Sequence, residues 1–126
     1  MGSTGGSVRL LLVDDEQMVL TTVARMLASR GYEVCTATSG GQALALASDP
    51  KEEFDLVLAD LTMPDMDGIE LFERLEAVRP ALPKLLSSGY PPTQAQMDKI
   101  QGFLQKPYRT QELFAAVAEA LTVKTS

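Results

Sequence analysis

Five short apolar runs, each followed by a stretch with helical character, leave this chain few ways to fold. The runs are VRLLLV from Val8, YEVCTA from Tyr32, FDLVLAD from Phe54, KLLSSG from Lys84 and GFLQK from Gly102. After the first run, Val19, Leu20, Val23, Met26 and Leu27 fall at helical spacing, and Gly31 stands where a helix C-terminus favours a left-handed residue. Capping pairs mark three further helix starts: Ser39 with Gln42, Asp67 with Glu70, and Thr93 with Gln96. The segment TQAQMDKI predicts about two turns of helix, and TQELFAAVAEAL a longer amphipathic one. Apolar runs of this kind are covered on both faces, and strands that alternate with helices run parallel through right-handed crossovers. The pattern therefore predicts a doubly wound α/β fold of five β–α pairs.

Four of the five runs end in residues with chemical capacity. The first ends at Asp14 and Asp15, the third at Asp60, the fourth at Ser87 and Ser88, and the fifth at Lys106; the second ends in nothing reactive. In doubly wound sheets, sites form outside the carboxyl ends of the strands, at the point where strand order reverses. The flavodoxin-like order 2-1-3-4-5 makes strands 1, 3, 4 and 5 consecutive neighbours and places strand 2 outboard. It removes from the site the one strand that has nothing to offer.

Crowded carboxylates raise one another's pKa, and a divalent cation relieves that cost. An oxygen-only ligand set without His or Cys suits Mg²⁺ or Mn²⁺. The stretch DMDG resembles part of a calcium loop but fails its spacing: with Gly68 at the loop's glycine position, Met63 and Arg74 fall where acids are required. A cation beside a spare carboxylate permits phosphoryl chemistry, in which the carboxylate is the nucleophile and carries an acyl phosphate. Lys106 can then serve as a point charge for a phosphoryl oxygen and Ser88 as a hydrogen-bond donor to one.

Composition narrows the alternatives. With 126 residues and 45% hydrophobic content, the chain suits one domain with one core. The net charge of −6 argues against binding nucleic acid through phosphate neutralisation. The absence of histidine excludes histidine-based catalysis and histidine autophosphorylation within the chain. Cys35, the single cysteine, reads as a small buried thiol. No apolar run approaches the length of a membrane span and no signal peptide is evident, so the expectation is a cytoplasmic domain. The Gly/Ser-rich residues 1–7 resemble a flexible linker or cloning remnant, residues 8–122 form the domain, and residues 123–126 form a C-terminal tail.

Together, VDDE, LADLTMPDMDG, LLSSG and FLQKPY resemble the receiver domain of two-component response regulators, across nearly the whole chain. The resemblance implies that Asp60 is the phospho-acceptor, that Asp15 and Asp60 bind Mg²⁺ directly with the backbone carbonyl of Thr62, and that Asp14 acts through water. It implies that Ser88 is the switch hydroxyl, Lys106 the family lysine followed by a cis bond to Pro107, and Phe103 the aromatic switch residue. It further implies a partner histidine kinase or histidine phosphotransfer domain, in trans or in a parent chain, no direct nucleic-acid or membrane contact, and a monomer or weak dimer. Seventeen residues separate Ser88 from Lys106, Pro91 and Pro92 among them. That short interval resembles the C-terminal receivers of hybrid sensor kinases and predicts a reduced fourth helix.

Plainer readings stand beside these roles. Asp65 and Asp67 are surface acids of the solvated or helix-capping kind, with Asp67 a cap. Ser87 competes with Ser88 for the switch position, and Phe103 has a core reading. Met63, Met66 and Met97 read as packing, and Tyr90 and Tyr108 as site rim or partner surface. A haloacid-dehalogenase-type phosphatase would need Asp-x-Asp after its first strand, where this chain has adjacent Asp14 and Asp15. A degenerate, non-phosphorylated receiver is disfavoured by the complete set Asp14, Asp15, Asp60, Ser88 and Lys106.

Overall fold

The computed structural model describes residues 8–124, with side chains to residue 122. All five runs contain strands and each is followed by a helix: β1 (Arg9–Val13), α1 (Gln17–Ala28), β2 (Glu33–Ala37), α2 (Gly40–Ser48), β3 (Leu56–Asp60), α3 (Gly68–Val78), β4 (Lys84–Ser88), α4 (Gln94–Met97), β5 (Gly102–Gln105) and α5 (Thr110–Lys124). The strands form one parallel sheet in the order β2-β1-β3-β4-β5, as the strand-end argument requires. The expected leader lies outside the described residues, as do the last two residues of the expected tail; α5 runs on through Lys124.

Side chains alternate across a strand, so each apolar run feeds two cores. Leu10, Leu12, Leu56, Leu58 and Leu85 pack with Leu20, Val23, Leu27, Leu113 and Val117 of α1 and α5. Leu11, Val13, Val57, Ala59 and Leu86 pack with Ala43, Ala47, Leu71, Phe72 and Leu75 of α2 and α3. Arg79, just past α3, ties down the α2–β3 connection by donating to the carbonyls of Ala47, Asp49 and Glu52 at 2.8, 3.1 and 2.8 Å.

The local signals resolve individually. Gly31 has φ +89°, the left-handed conformation that lets the chain leave α1 for β2. Thr93 and Gln96 form a reciprocal capping box. Ser39 caps α2 through the Gln42 N–H, whereas the Gln42 side chain accepts from Thr38 rather than from Ser39. The fourth helix is one turn, not two: after Met97 the backbone tightens into three-residue turns, with the Lys99 N–H donating to the Gln96 carbonyl at 3.0 Å and the Ile100 N–H to the Met97 carbonyl at 3.3 Å. Met97 is consequently 45% exposed rather than packed, and Ile100 takes its place in the core. Cys35 is half-buried rather than buried, because β2 is an edge strand with a neighbour on one side only. Met63 is buried and Met66 packs against the α2/α3 core, as expected.

Gly68 opens α3 directly beneath the end of β3. Its N–H donates to the Leu61 carbonyl at 2.8 Å, and a Cβ there would stand 2.7 Å from the Asp60 carbonyl oxygen and 2.9 Å from Leu86 Cδ1. Backbone cannot yield as a flexible side chain can. Gly68→Ala is expected to cost about 1–3 kcal/mol, the usual range for overpacking, read as a lower urea midpoint at unchanged slope.

Candidate functional site

The carboxyl end of the sheet gathers the acids that the strand ends carry. Asp14, Asp15 and Asp60 each offer a carboxylate oxygen, all within 4.8 Å of one another. They form a gradient of exposure: Asp14 is buried, Asp60 half-buried and Asp15 exposed. Asp14 is held in place from two sides, accepting from the Glu16 N–H at 2.9 Å and meeting Lys106 Nζ at 3.3 Å. Lys106 Nζ also lies 3.2 Å from Asp60 Oδ1, so one ammonium spans the two less exposed carboxylates. The lysine is fixed by its backbone, whose N–H donates to the Ser88 carbonyl at 2.8 Å, and the following bond to Pro107 is cis.

Burial raises the Asp60 pKa above the ordinary carboxylate value; Lys106 pulls it back, and Asp14 and Asp15 push it up again. Burial opposes the Lys106 charge, yet Asp14 and Asp60 outweigh it and hold its pKa above the usual lysine value. Three carboxylates facing one ammonium leave a net negative cleft of oxygen donors. That donor set fits Mg²⁺, with Asp14, Asp15 and Asp60 as the groups able to hold it directly or through water.

The paired serines separate to opposite faces of β4. Ser87 is buried, pairs in register with Asp60, and lines a cavity of about 20 Å³ with Asp14, Leu58 and Tyr108 on the α1/α5 side. Ser88 is also buried and stands one residue further out, where its Oγ accepts from the Tyr90 N–H at 3.0 Å. Phe103 is half-buried against the α2/α3-side core, in register with Leu86. Thr62 is exposed in the loop after β3. Tyr90 is 72% exposed, while Tyr108 packs against the α1/α5-side core, where burial raises its pKa.

The two surface acids of the β3–α3 loop behave differently. Asp67 caps α3, accepting from the Glu70 N–H at 2.8 Å. Asp65 reaches across to α2, where its two oxygens accept from the Gly40 and Gly41 N–H groups at 3.2 and 2.9 Å. These bonds hold its carboxyl below the usual range, that from Gly41 most strongly. No local motif announces this contact, since the partners lie some 25 residues apart; only an acid in the β3–α3 loop and a glycine pair at the start of α2 hint at it.

An acidic pocket with a lysine, at the carboxyl end of a five-stranded 2-1-3-4-5 sheet, defines a receiver-type α/β module. The chain matches the response regulator receiver domain over residues 10–118 and belongs to that family. It is 38% identical over 120 residues to the sensor kinase CckA of Brucella abortus, covering 92% of this chain and 13% of that protein. It is similar to the CheY-like receiver domain protein of Methanospirillum hungatei, with a TM-score of 0.86 and 30% identity over 95% of this chain and 98% of that one. It is also similar to the response regulator TrrA of Thermotoga maritima, solved in complex with Mg²⁺–BeF, with a TM-score of 0.81 and 25% identity over 90% and 98% of the two chains. The chain spans about a quarter or less of the curated relatives it matches. No helix among the described residues is long and apolar enough to cross a membrane.

Proposed function

We propose that Asp60 accepts a phosphoryl group from a phosphohistidine on a histidine kinase or histidine phosphotransfer domain in the cytoplasm, and that the domain relays a signal by changing conformation. The observation that carries this is the Asp60 carboxylate at the end of β3, grouped with Asp14 and Asp15 and 3.2 Å from Lys106 Nζ. Asp15, Asp60 and the Thr62 carbonyl would hold Mg²⁺, or Mn²⁺, with Asp14 acting through water. When bound, the cation offsets the charge of the acceptor carboxylate and of the incoming phosphoryl oxygens. An Asp60 oxygen forms the new P–O bond as the P–N bond of the donor breaks, and the freed imidazole takes up a proton. Lys106 donates to a phosphoryl oxygen, Ser88 turns its hydroxyl towards another, and Phe103 moves into the space beside β4. The test is intact mass after incubation with Mg²⁺ and acetyl phosphate. One hydroxylamine-labile phosphoryl group is expected; an unmodified chain would refute the reading.

The output follows from the reduced fourth helix. Among residues 91–101, Ile100 alone is buried, so little apolar surface anchors this segment. Amide exchange there is expected to be the fastest between the strands and to change most when beryllofluoride occupies the site. Slow exchange that is identical with and without beryllofluoride would remove this segment as the output element.

A further inference from the structure

The N-terminus of α2 is satisfied in an unusual way. A helix leaves its first N–H groups without intrahelical partners, and local side chains normally serve them. Here the local cap serves only Gln42, whose N–H donates to Ser39 Oγ at 3.1 Å. The Gly40 and Gly41 N–H groups go instead to Asp65, in the β3–α3 loop. The next residue of that loop is docked as well. Met66 lies so close over Gly40 that a Cβ on the glycine would meet Met66 Sδ at 2.8 Å. At its other end the loop is pinned by Leu61, whose N–H donates to the Ser87 carbonyl at 2.8 Å and whose carbonyl accepts from Gly68. Thr62, Met63 and Pro64 are therefore strung between two fixed points, β4 on one side and the α2 N-terminus on the other.

We propose that Asp65 is a positioning residue for the cation site: by clamping the β3–α3 loop to α2, it fixes where Thr62 presents its carbonyl beside Asp60. This rests on the reading of Thr62 as a ligand, but assigns a role to Asp65 that the ligand set does not contain. Ordering the loop before the cation arrives removes an entropy cost from binding, so the clamp acts on affinity and not on the chemical step. A carboxylate is suited to the task, because its two oxygens serve two adjacent N–H groups at a positive helix terminus.

Four variants of the intact chain test this: Asp65→Ala, Asp65→Asn, Ser39→Ala and Asp15→Asn. Mg²⁺ affinity is read by calorimetry, and amide exchange at residues 61–64 in Mg²⁺-free buffer. Asp65→Ala is expected to weaken Mg²⁺ binding about tenfold, the lower end for groups that orient metal ligands, and to speed exchange at residues 61–64. Its labelling rate at saturating Mg²⁺ should match the parent's. Asp65→Asn, which keeps one carbonyl oxygen as acceptor, should recover part of the affinity. Ser39→Ala weakens α2 from within and leaves the clamp intact, so it should lower the melting temperature while Mg²⁺ affinity stays within twofold of the parent. Affinity unchanged in Asp65→Ala, or lost equally in Ser39→Ala, would overturn the proposal. Asp15→Asn should lose more affinity than Asp65→Ala; if it loses none, the cation site itself is misplaced and the clamp's role falls with it.

Discussion

Asp60→Asn should take up no phosphoryl group under conditions that label the parent stoichiometrically, and in Mg²⁺-free buffer it should melt at a higher temperature. The first outcome follows because an amide is a poor nucleophile in place of the carboxylate oxygen. The second follows from the direction of the Asp60 pKa, which burial chiefly raises. A carboxyl whose pKa is higher folded than unfolded binds more protons in the native state between the two values. Stability therefore falls as pH rises through that window, and the penalty is present in full above it. Asparagine keeps the shape and removes that charge. The gain should shrink as pH falls through the folded value and be lost below the unfolded one, about 4, where the parent's own carboxyl is protonated in both states. Retained labelling would point to another acceptor, and an unchanged melting temperature would mean that Lys106 fully offsets the burial of Asp60. A higher melting temperature would show a destabilising charge held at the end of β3, the usual trade between stability and activity.

The path from sequence to site was legible where a single physical rule controlled the outcome. Strand order could be read because one strand, β2, ends without a reactive residue and the sheet indeed puts it at the edge. Asp14, Asp15, Asp60 and Lys106 were legible because carboxyl ends of parallel strands converge, whatever the loops do. The capping roles of Ser39, Asp67 and Thr93 were legible because they are local. Where two rules competed, sequence was less informative. Cys35 carries an apolar signature but inherits the exposure of an edge strand, and Met97 belongs to a helix too short to press it onto the core. The Asp65 contact with Gly40 and Gly41 obeys a capping rule, yet acts from the β3–α3 loop onto the start of α2, so no spacing in the chain could encode it.

Lys106→Met should bind Mg²⁺ more tightly than the parent while accepting phosphoryl groups more slowly. The lysine Nζ sits 3.3 Å from Asp14 and 3.2 Å from Asp60, so it occupies the field that a cation would use. Its pKa is held up by those same carboxylates against the opposing effect of burial, so it is charged at neutral pH. Methionine has similar length and no charge, and therefore removes the competitor without leaving a large hole. Two unit charges about 4 Å apart are worth about 1 kcal/mol even at the dielectric of water, and the cation carries two, so the gain in affinity is expected on the order of tenfold, about fivefold at the least. The side chain is 28% exposed, and solvent screening keeps the effect near that lower figure. Without Mg²⁺ the variant should melt below the parent, because the buried Asp14 loses its counter-charge; added Mg²⁺ should raise its melting temperature more than the parent's. Labelling should slow even at saturating Mg²⁺, since no ammonium remains to meet the phosphoryl oxygen. Calorimetry and thermal melts across a Mg²⁺ series decide the matter. Weaker Mg²⁺ binding in Lys106→Met would show that the lysine organises Asp14 and Asp60 for the cation instead of competing with it.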